Sequence, residues 1–483
     1  MTDQSPHCIK QAAGNEISMY AVSRKIHPRR VKGANRSAKT VIAWMSILTL
    51  SLVPWLRWDR GPGQPDQAIL FDFVAMRAYF FNTGIWPQEF YFLTGVLVVA
   101  SVGLFLVTAL YGRVWCGFAC PQTVWTDIFV WIERLVEGDH SQRRKLDKAC
   151  WSTGKALTKV VKHSAWLVVS LQFSVSFLFF FNDAPTALKG LVTGEAGFVL
   201  YGFVAALLFM TYLMAGWARE QMCIYMCPWP RFQGAMLDHD TVVVSYDARR
   251  GEDRAPAGVE QSFENRGHCV DCRLCVQVCP VGIDIRDGIQ MECIGCGLCA
   301  DACNTVMPRF GLPANLVGWR PLSHMADEAP NAKQPWHRRP RLIIYGGIVC
   351  AALVGLAFAG GHRSMLDMNI LHDRSPLSVM LSDGSTRNDY TVKIINRERA
   401  PRRLRLDVLG LDEGQLEVQG LSRAANGQYL AAEADAVTSY RVSVRVPAAR
   451  AVAGAIPIQF RLSDPTLGDE SVRPNTFIAA AAR

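Results

Sequence analysis

Five long runs of apolar residues divide the chain, and polar segments of very different lengths separate them. Each run is close to the roughly 20 residues that an α-helix needs to cross the hydrocarbon core of a bilayer. The runs predict an α-helical membrane bundle, although a helix buried in a protein core would show the same pattern. The five predicted spans cover residues 40–56, 90–110, 164–181, 197–217 and 342–361.

The first run is the shortest, and it contains Pro54. Lys39 and Arg57 flank it, and long basic side chains can extend from a span to the polar interface. Trp58 can anchor the far end, because indole rings favour that interface. We therefore predict a span here too.

The distribution of Lys and Arg predicts the orientation, because short cationic loops stay in the cytoplasm. Residues 24–39 hold seven Lys or Arg and residues 134–162 hold eight, whereas residues 57–89 hold three and residues 182–196 hold one. The N-terminus is therefore predicted to be cytoplasmic. With five spans, the tail from residue 362 is predicted to lie on the opposite side, which is the periplasm if this is a bacterial inner-membrane protein.

The positions of the cysteines agree with this orientation. All 15 lie in segments predicted to be cytoplasmic or within a span. Free thiols and iron–sulfur clusters persist in a reducing compartment, whereas exposed thiols in the periplasm are oxidised.

The pattern changes near residue 367, where short runs of alternating polar and apolar residues begin. Turn residues separate these runs at intervals typical of β-sandwiches, which predicts an immunoglobulin-like domain. We find no catalytic cluster in this tail and expect it to serve interaction or packing. The clearest predicted strands cover residues 391–396, 403–410, 415–420, 439–447 and 456–462.

Composition supports a membrane protein. Of 483 residues, 50% are hydrophobic and only 19% are charged, below the usual quarter. The mean hydropathy is +0.11, and there are 13 tryptophans. In this setting a net charge of +9 indicates orientation and lipid contact rather than nucleic-acid binding. We expect no cleavable signal peptide, because the first forty residues are polar and basic.

One polar segment, residues 268–304, holds eight of the 15 cysteines. They form two runs with the spacing C-x2-C-x2-C-x3-C, in which three thiolates bind one [4Fe–4S] cubane and the fourth reaches the other. Glycines in these runs allow the backbone to approach the sulfurs closely. We assign Cys269, Cys272, Cys275 and Cys303 to one cluster and Cys279, Cys293, Cys296 and Cys299 to the second.

Two other readings of these runs are weaker. Zinc ribbons use four ligands in two pairs, not two tandem sets of four. A disulfide framework conflicts with the predicted cytoplasmic location.

Two further cysteine pairs share the spacing CxxxCP, in WCGFACPQ and QMCIYMCPW. Each pair follows a predicted span, and an i, i+4 spacing would put both sulfurs on one helical face before the proline ends the helix. If the two helices pack together, four thiolates converge at the membrane surface. Such soft ligands suit Cu(I) or an iron–sulfur centre, although a redox dithiol or simple apolar packing also fits. The residues are Cys116, Cys120, Cys223 and Cys227.

The order of these parts resembles the FixG/RdxA/CcoG family of cytochrome c oxidase accessory proteins. The resemblance covers nearly the whole chain and is carried by WCGFACPQTVWTD at residues 115–127, QMCIYMCPWPRFQGAMLD at residues 221–238, the ferredoxin-type run, and DGSTRNDYTVKIINR at residues 383–397.

The resemblance implies a role in maturing cbb-type oxidase, through reduction of Cu(II) to Cu(I) for delivery by copper chaperones. It carries the cluster ligands over to the eight ferredoxin-type cysteines, and a redox or copper site to the four CxxxCP cysteines. The implied partners are membrane lipid, a soluble electron donor, and oxidase assembly factors or copper chaperones. A homo-oligomer stays open.

Two rival functions remain. The chain could pass electrons to a quinone or to a partner membrane complex, or it could be a non-enzymatic assembly scaffold. The sequence contains no nucleotide-binding glycine fingerprint and no haem attachment motif, which argues against a complete respiratory enzyme.

The predicted architecture is multi-domain, with an α-helical membrane bundle, an inserted two-cluster ferredoxin-like domain and a C-terminal immunoglobulin-like β-sandwich. Its segments are a basic cytoplasmic head at residues 1–39, spans one to four within residues 40–217, a cytoplasmic loop at residues 218–340 with its ferredoxin-type part at about 260–310, span five at residues 341–361, and a periplasmic domain at residues 362–483.

Overall fold

A computed structural model of the chain describes residues 25–61, 63–256, 258, 262–324, 339–411, 414–421, 428–447 and 454–479. Most of the basic head predicted at residues 1–39 therefore lies outside the described residues. The chain forms two units, Met1–Leu356 and Ala357–Arg483.

Helices dominate the first unit and continue across its boundary. In chain order they are α1 (Ala34–Leu52), α2 (Phe90–Tyr111), α3 (Val114–Phe118), α4 (Pro121–Glu137), α5 (His140–Lys148), α6 (Thr153–Leu178), α7 (Ala184–Thr193), α8 (Phe198–Thr211), α9 (Arg219–Gln221), α10 (Trp229–Met236), α11 (Ala248–Gly251), α12 (Leu274–Val278), α13 (Leu298–Val306) and α14 (Pro340–Gly361). Two π-helical segments, Tyr212–Ala218 and Met222–Met226, flank α9 and extend α8.

Four helical segments among the described residues are long and apolar enough to cross a membrane. They contain four of the five predicted spans: Ala34–Trp55, Pro87–Tyr111, Phe198–Met226 and Pro340–Gly361. Pro54 lies in a single 3-10 turn that ends the first of them, so the proline terminates the helix without interrupting it.

The predicted span at residues 164–181 lies largely in α6, which is not among these four segments. This helix begins with three lysines and carries serines further along. Ser170 and Ser174 are fully buried, and Gln172 Nε2 donates to Ser51 Oγ of α1 at 2.6 Å. Its polar side chains therefore face other helices. Five spans are not confirmed, and the α6 span stays a prediction.

Two small antiparallel sheets belong to the first unit. A three-stranded sheet follows α1, and a two-stranded sheet brackets the cysteine-rich segment. The strands are β1 (Ile69–Asp72), β2 (Arg77–Phe80), β3 (Thr83–Ile85), β4 (Val242–Tyr246) and β5 (Val317–Pro321).

The second unit contains two antiparallel sheets around one apolar core. Its strands are β6 (Leu366–His372), β7 (Val379–Met380), β8 (Thr386–Asn396), β9 (Arg402–Leu409), β10 (Gln415–Val418), β11 (Gln428–Ala432), β12 (Ala436–Val446), β13 (Gly454–Ser463) and β14 (Glu470–Ala479). One sheet has the order β10-β12-β8-β6, with β7 also paired to β8, and the other has the order β11-β9-β13-β14.

All five predicted strands of the tail are present, within β8, β9, β10, β12 and β13. Tyr390, Val392 and Ile394 alternate along β8 and are fully buried between the sheets, as the period-two pattern requires. The sequence did not reveal β14, which contains Pro474. A proline is tolerated there because β14 is an edge strand.

Candidate functional site

The first group of four cysteines gathers around the N-terminal part of α12 and the C-terminal part of α13. The Cys275 sulfur is within electrostatic range of Cys272 and Cys303, and the Cys303 sulfur is within range of Cys269. Cys269 is buried and Cys272 is exposed. The structure thus places Cys303, from the second run, beside the first three cysteines of the first run.

The second group combines the last cysteine of the first run with the first three cysteines of the second run. Cys299 is within electrostatic range of Cys296, Cys293 and Cys279, and also of Cys275 from the first group. Cys279, from the first run, therefore lies with three cysteines of the second run. The electrostatic neighbours of these thiols agree with the two sets of four, while packing also brings Cys293 and Cys299 into one cluster with Cys269, Cys275 and Cys303, so the division of the ligands between two clusters stays a prediction.

Backbone amides face the sulfurs of the second group. The N–H groups of Val281 and Ile283 donate to Cys279, and the N–H of Gly295 donates to Cys293. Gly295 has φ +65°, a left-handed conformation that favours glycine. Amide donors that converge on thiolates are the contacts that tune an iron–sulfur cluster, so this cradle fits one.

The thiols themselves are buried. Burial raises the pKa of Cys275 and of Cys279 to about 12, so that without a metal both would be neutral. Among the described residues, no three His, Cys, Asp or Glu side chains converge closely enough to hold a single metal ion. The ligands of a cubane bind four different irons and therefore stand farther apart.

The second cysteine of each CxxxCP pair lies at a helix break, which corrects the expectation that each pair lies on one face of a continuous α-helix. Cys116 lies in α3, but α3 ends at Phe118 and Cys120 is the N-cap of α4. Cys223 lies in a π-helical segment, and Cys227 follows it with an extended backbone. The residue before a proline avoids the helical region, so each proline sets the break at the second cysteine.

The four CxxxCP sulfurs nevertheless converge. Cys116 is within electrostatic range of Cys120, Cys223 and Cys227. Its thiol donates to Oε1 of the fully buried Gln233 at 3.2 Å. Burial raises the pKa of Cys116 to about 12. The two segments that carry the motifs therefore pack together, which is the condition under which the sequence predicted a shared site of four thiols.

A largely apolar cavity of about 450 Å³ adjoins these sulfurs. Three methionines of the helical segment Phe198–Met226, hereafter the α8 segment, contribute thioethers to its lining, and tryptophans form part of its wall. The lining includes Met210, Met214, Met222, Trp115, Trp125 and Trp229 together with all four CxxxCP cysteines.

Gln122 holds the irregular part of the α8 segment in place. It follows Pro121, and its Nε2 donates to the carbonyl of Met214 at 2.8 Å and to that of Arg219 at 3.3 Å. A π-helical segment leaves carbonyls without their usual helical partners, and such segments recur at functional sites. Gln122 therefore links the first CxxxCP motif to the helix that carries the second.

The second group of cysteines lies directly against the first CxxxCP motif. A Cβ at Gly117 would come within 2.7 Å of the Gly295 carbonyl oxygen and within 2.8 Å of Cys296 Cα, so only glycine fits. Arg113 Nη1 donates to the Cys293 carbonyl at 3.2 Å, and its Nη2 donates to the Pro230 carbonyl at 2.6 Å. Cys116, Cys223, Cys279 and Cys296 also share one apolar cluster.

Asp301 connects the cysteine-rich segment to the start of α1. It lies between Cys299 and Cys303 in α13, and it is buried. Its carboxylate accepts from the backbone N–H of Arg36 at 2.8 Å and from Asn35 Nδ2 at 2.8 Å. An acidic side chain thereby caps the N-terminus of a candidate membrane span, where the helix dipole favours negative charge.

A buried ion network lies beside this junction. Glu133 of α4 accepts from Arg143 Nη1 at 2.9 Å and from Arg219 Nη2 at 2.7 Å, while Lys162 Nζ is 3.7 Å from its carboxylate. Burial alone would raise the pKa of Glu133, but these cations lower it to about 2. Nearby, Asp127 pairs with Arg36 and Lys39.

Sequence reasoning singled out the cysteines but missed the residues that connect them. Gly117 had a visible signal, since it stands between the two cysteines of a motif. Gln122, Gln233 and Asp301 had no signal, because their partners are distant along the chain.

Comparison with known proteins gives three family matches. A "4Fe-4S dicluster domain" matches residues 218–321, a "4Fe-4S binding domain" matches residues 93–137, and an "IG-like fold at C-terminal of FixG" matches residues 356–480. The nitrogen fixation protein FixG of Rhizobium meliloti (strain 1021) is 39% identical over 95% of this chain and 93% of its own length. The chain belongs to the FixG/RdxA family.

Other relatives extend this family assignment. Protein RdxA of Cereibacter sphaeroides is 43% identical over 81% of this chain and 84% of its own, and protein RdxB of that organism is 44% identical over 83% and 86%. The crystal structure of a FixG-related protein from Vibrio parahaemolyticus covers 25% of this chain and 99% of its own, at 22% identity and a TM-score of 0.21. The curated relatives and the family models together identify a FixG/RdxA-type iron–sulfur protein, and its apolar helices suit a membrane.

Proposed function

We propose that this FixG/RdxA-type protein reduces Cu(II) to Cu(I) at the four CxxxCP cysteines and so assists assembly of a cbb-type cytochrome c oxidase. The observation that carries the proposal is the contact of Gly117 with the backbone of Cys296. It joins a segment built for iron–sulfur clusters to a pocket of sulfur ligands. A [4Fe–4S] cluster in each group of four cysteines would supply electrons one at a time.

The CxxxCP pocket has the chemistry of a Cu(I) site. The reduction itself takes one electron, Cu(II) + e⁻ → Cu(I), and binding of the ion by Cys116 would release the thiol proton, because a metal is bound by the thiolate. Thiolates and thioethers are soft ligands that favour Cu(I) over Cu(II), so they draw the reaction forward. The cavity wall is largely apolar, and Gln233 orients the Cys116 thiol.

The test is a double variant, Cys116→Ala with Cys223→Ala, in the full-length protein purified without oxygen and reduced by a chemical donor. We expect Cu(I) production, followed with a Cu(I)-specific chelator, to fall at least tenfold. Cys350→Ala is the matched control, because Cys350 is an exposed cysteine on α14. Equal rates in all three proteins would refute the copper site.

A third iron–sulfur centre at the same four thiols is the second candidate. The family match to a 4Fe-4S binding domain at residues 93–137 contains Cys116 and Cys120, which favours it. Iron analysis separates the two candidates. Two cubanes give about eight iron atoms per chain and three give about twelve, and removal of the CxxxCP cysteines lowers the count only in the second case.

The apolar cavity would also accept a quinone ring, which keeps electron transfer to a quinone or a partner complex as an alternative. Loss of anaerobic quinone reduction in the same double variant, with Cu(II) reduction intact, would support it. If the protein is a non-enzymatic scaffold, neither the wild type nor the double variant reduces copper or quinone, and both support oxidase assembly.

The proposed location is the bacterial inner membrane, with the N-terminus and residues 218–340 in the cytoplasm and residues 362–483 in the periplasm. This arrangement requires α6 to cross the membrane as a fifth span. A soluble donor would then reach the exposed Cys272 from the cytoplasm. The proposed partners are copper chaperones or oxidase assembly factors.

A further inference from the structure

Two adjoining cavities lie between α1 and α4. The outer one has a volume of about 880 Å³ and the inner one about 280 Å³. Arg36, Thr40 and Trp131 line both, so the two form one groove. The groove begins beside Gly33, at the N-terminus of a candidate membrane span, and runs along that span.

The outer cavity is cationic. Its lining contains Arg30, Lys32, Arg36 and Arg134 against one carboxylate, Asp139. That carboxylate already takes part in capping α5 and accepts from the backbone N–H of Arg30 at 3.4 Å. Arg36 is paired with Asp127 at 2.8 Å, whereas the other three cations form no ion pair within the part of the chain that the structure describes.

The guanidinium of Arg134 has hydrogen-bond donors that the described residues leave unsatisfied. Its Nε is buried without a hydrogen-bond partner, and its Nη2 reaches only the Pro28 carbonyl at 3.4 Å. Burial, with the cations Arg36 and Arg143 close by, lowers the pKa of Arg134 to about 10. A phosphate in the outer cavity, which Arg134 lines, would place a negative charge beside this guanidinium and offset the repulsion between these cations.

The inner cavity is apolar over most of its wall. Ala43, Trp44 and Ile47 of α1 face Ile128 of α4 and Val169 of α6. On the surface beside the outer cavity, Trp131 and Leu135 are exposed. A cationic mouth that continues into an apolar groove matches an amphiphile, whereas free phosphate would leave the groove unfilled.

We propose that this groove binds an anionic phospholipid, with its phosphodiester at Arg30, Lys32 and Arg134 and one acyl chain between α1 and α4. The position of the cationic cavity, at the N-terminus of a candidate membrane span, agrees with this proposal. Lipid headgroups lie at the ends of membrane spans, and basic pockets between helices bind anionic lipids. A zwitterionic lipid would leave the excess positive charge of the mouth uncompensated.

The test is lipid binding to the full-length protein in detergent, measured by native mass spectrometry. The probes are phosphatidylglycerol and phosphatidylcholine with identical acyl chains. We expect phosphatidylglycerol to bind at least tenfold more tightly. At roughly fivefold per cation, Arg30→Gln with Arg134→Gln should weaken its binding about 25-fold. Arg144→Gln, an exposed arginine of α5 outside the groove, should change it less than twofold.

Three outcomes would overturn the proposal: equal binding of the two lipids, an equal loss in Arg144→Gln, or displacement of the lipid by an equal concentration of inorganic phosphate. If the Arg134 variant does not fold, Arg30→Gln with Lys32→Gln replaces it, because both side chains are exposed. Trp131→Ala tests whether the groove binds an acyl chain. It should weaken the binding of phosphatidylglycerol and leave the binding of inorganic phosphate unchanged.

Discussion

Gly117 lies against Cys296 so closely that the two residues leave no room for a side chain between them: a Cβ on Gly117 would stand 2.8 Å from Cys296 Cα. The atoms on the facing side belong to the backbone of residues 294–296, which cannot rotate away as a side chain can. A single glycine therefore sets the distance between the first CxxxCP motif and the second group of ferredoxin-type cysteines.

Gly117→Val should separate these two elements. We expect the substitution to cost about 1–3 kcal/mol through overpacking and to lower the proposed Cu(II) reduction severalfold or more. Iron content should stay close to that of the wild type, because no cluster-binding cysteine is changed. The measurements are thermal unfolding, iron analysis and the Cu(I) chelator assay.

Gly103→Val is the matched control for that variant. Gly103 lies in α2, and a Cβ there would meet nothing within 4 Å. The control should retain full reduction. A Gly117→Val protein as active as the Gly103→Val protein would show that the close contact has no role in electron delivery.

Asp301→Ala should loosen the junction between α13 and α1. The substitution removes the acceptor for two backbone N–H groups and for Asn35 Nδ2, at a cost of about 2 kcal/mol. Hydrogen exchange at residues 33–37 should accelerate and the unfolding temperature should fall. Asp287→Ala in the same segment is the comparison, since that side chain is 60% exposed, and it should have little effect. Indistinguishable exchange in the two variants would contradict the capping role.

Glu133→Gln should be among the most destabilising of the substitutions that neutralise one charged side chain. It leaves Arg143, Arg219 and Lys162 buried without their shared anion, at a cost of about 3 kcal/mol. The thermal midpoint of the detergent-solubilised protein reports the loss. Glu195→Gln, on an exposed turn, provides the matched charge change and should leave the midpoint within about a degree.

The same carboxylate predicts an acid-sensitive stability. Its folded pKa of about 2 lies below the ordinary value of 4.5, so the stabilisation is complete above about pH 4.5 and is lost as the pH falls toward 2. We expect wild-type midpoints to drop across that window. The Glu133→Gln variant should show a shallower decline, and parallel pH profiles would contradict this assignment.

The role of α6 can be tested through the location of the C-terminal domain. If α6 crosses the membrane, alkaline phosphatase fused after residue 483 will be active in the periplasm, and green fluorescent protein fused there will be dark. The opposite result would leave four spans and both ends on one side. Fusions after residues 152 and 194, which bracket α6, should differ in the same way.

Much of this organisation can be read from the sequence because local patterns encode it. Apolar runs and alternating strands depend on neighbours along the chain, and the spacing of the ferredoxin-type cysteines follows from the geometry of their ligand. The prolines after Cys120 and Cys227 predicted that a helix ends there, but the sequence did not show that α3 already ends at Phe118 or that Met222–Met226 is π-helical. The fifth span, in α6, stays a prediction, because α6 is not among the four long apolar segments of the described residues and because Ser170 and Ser174 are buried within the protein.

Residues that join distant segments could not have been predicted from one sequence. Asp301 is an ordinary helical aspartate until α1 is placed against it, and Gln233 is an ordinary polar residue until it meets Cys116. Arg134 belongs to a region rich in cations, and only the structure shows that its Nε lacks a partner.

The capping of α1 by Asp301 also bears on how the chain is built. The two partners stand 266 positions apart, so the ribosome releases the first apolar helix long before it makes the residue that caps it. Because domains form progressively during synthesis, α1 must wait uncapped until α13 has been made and folded. The capping of α1 is therefore a late event in biogenesis. A protein whose cysteine-rich segment does not fold should show a defect in its N-terminal helix, α1.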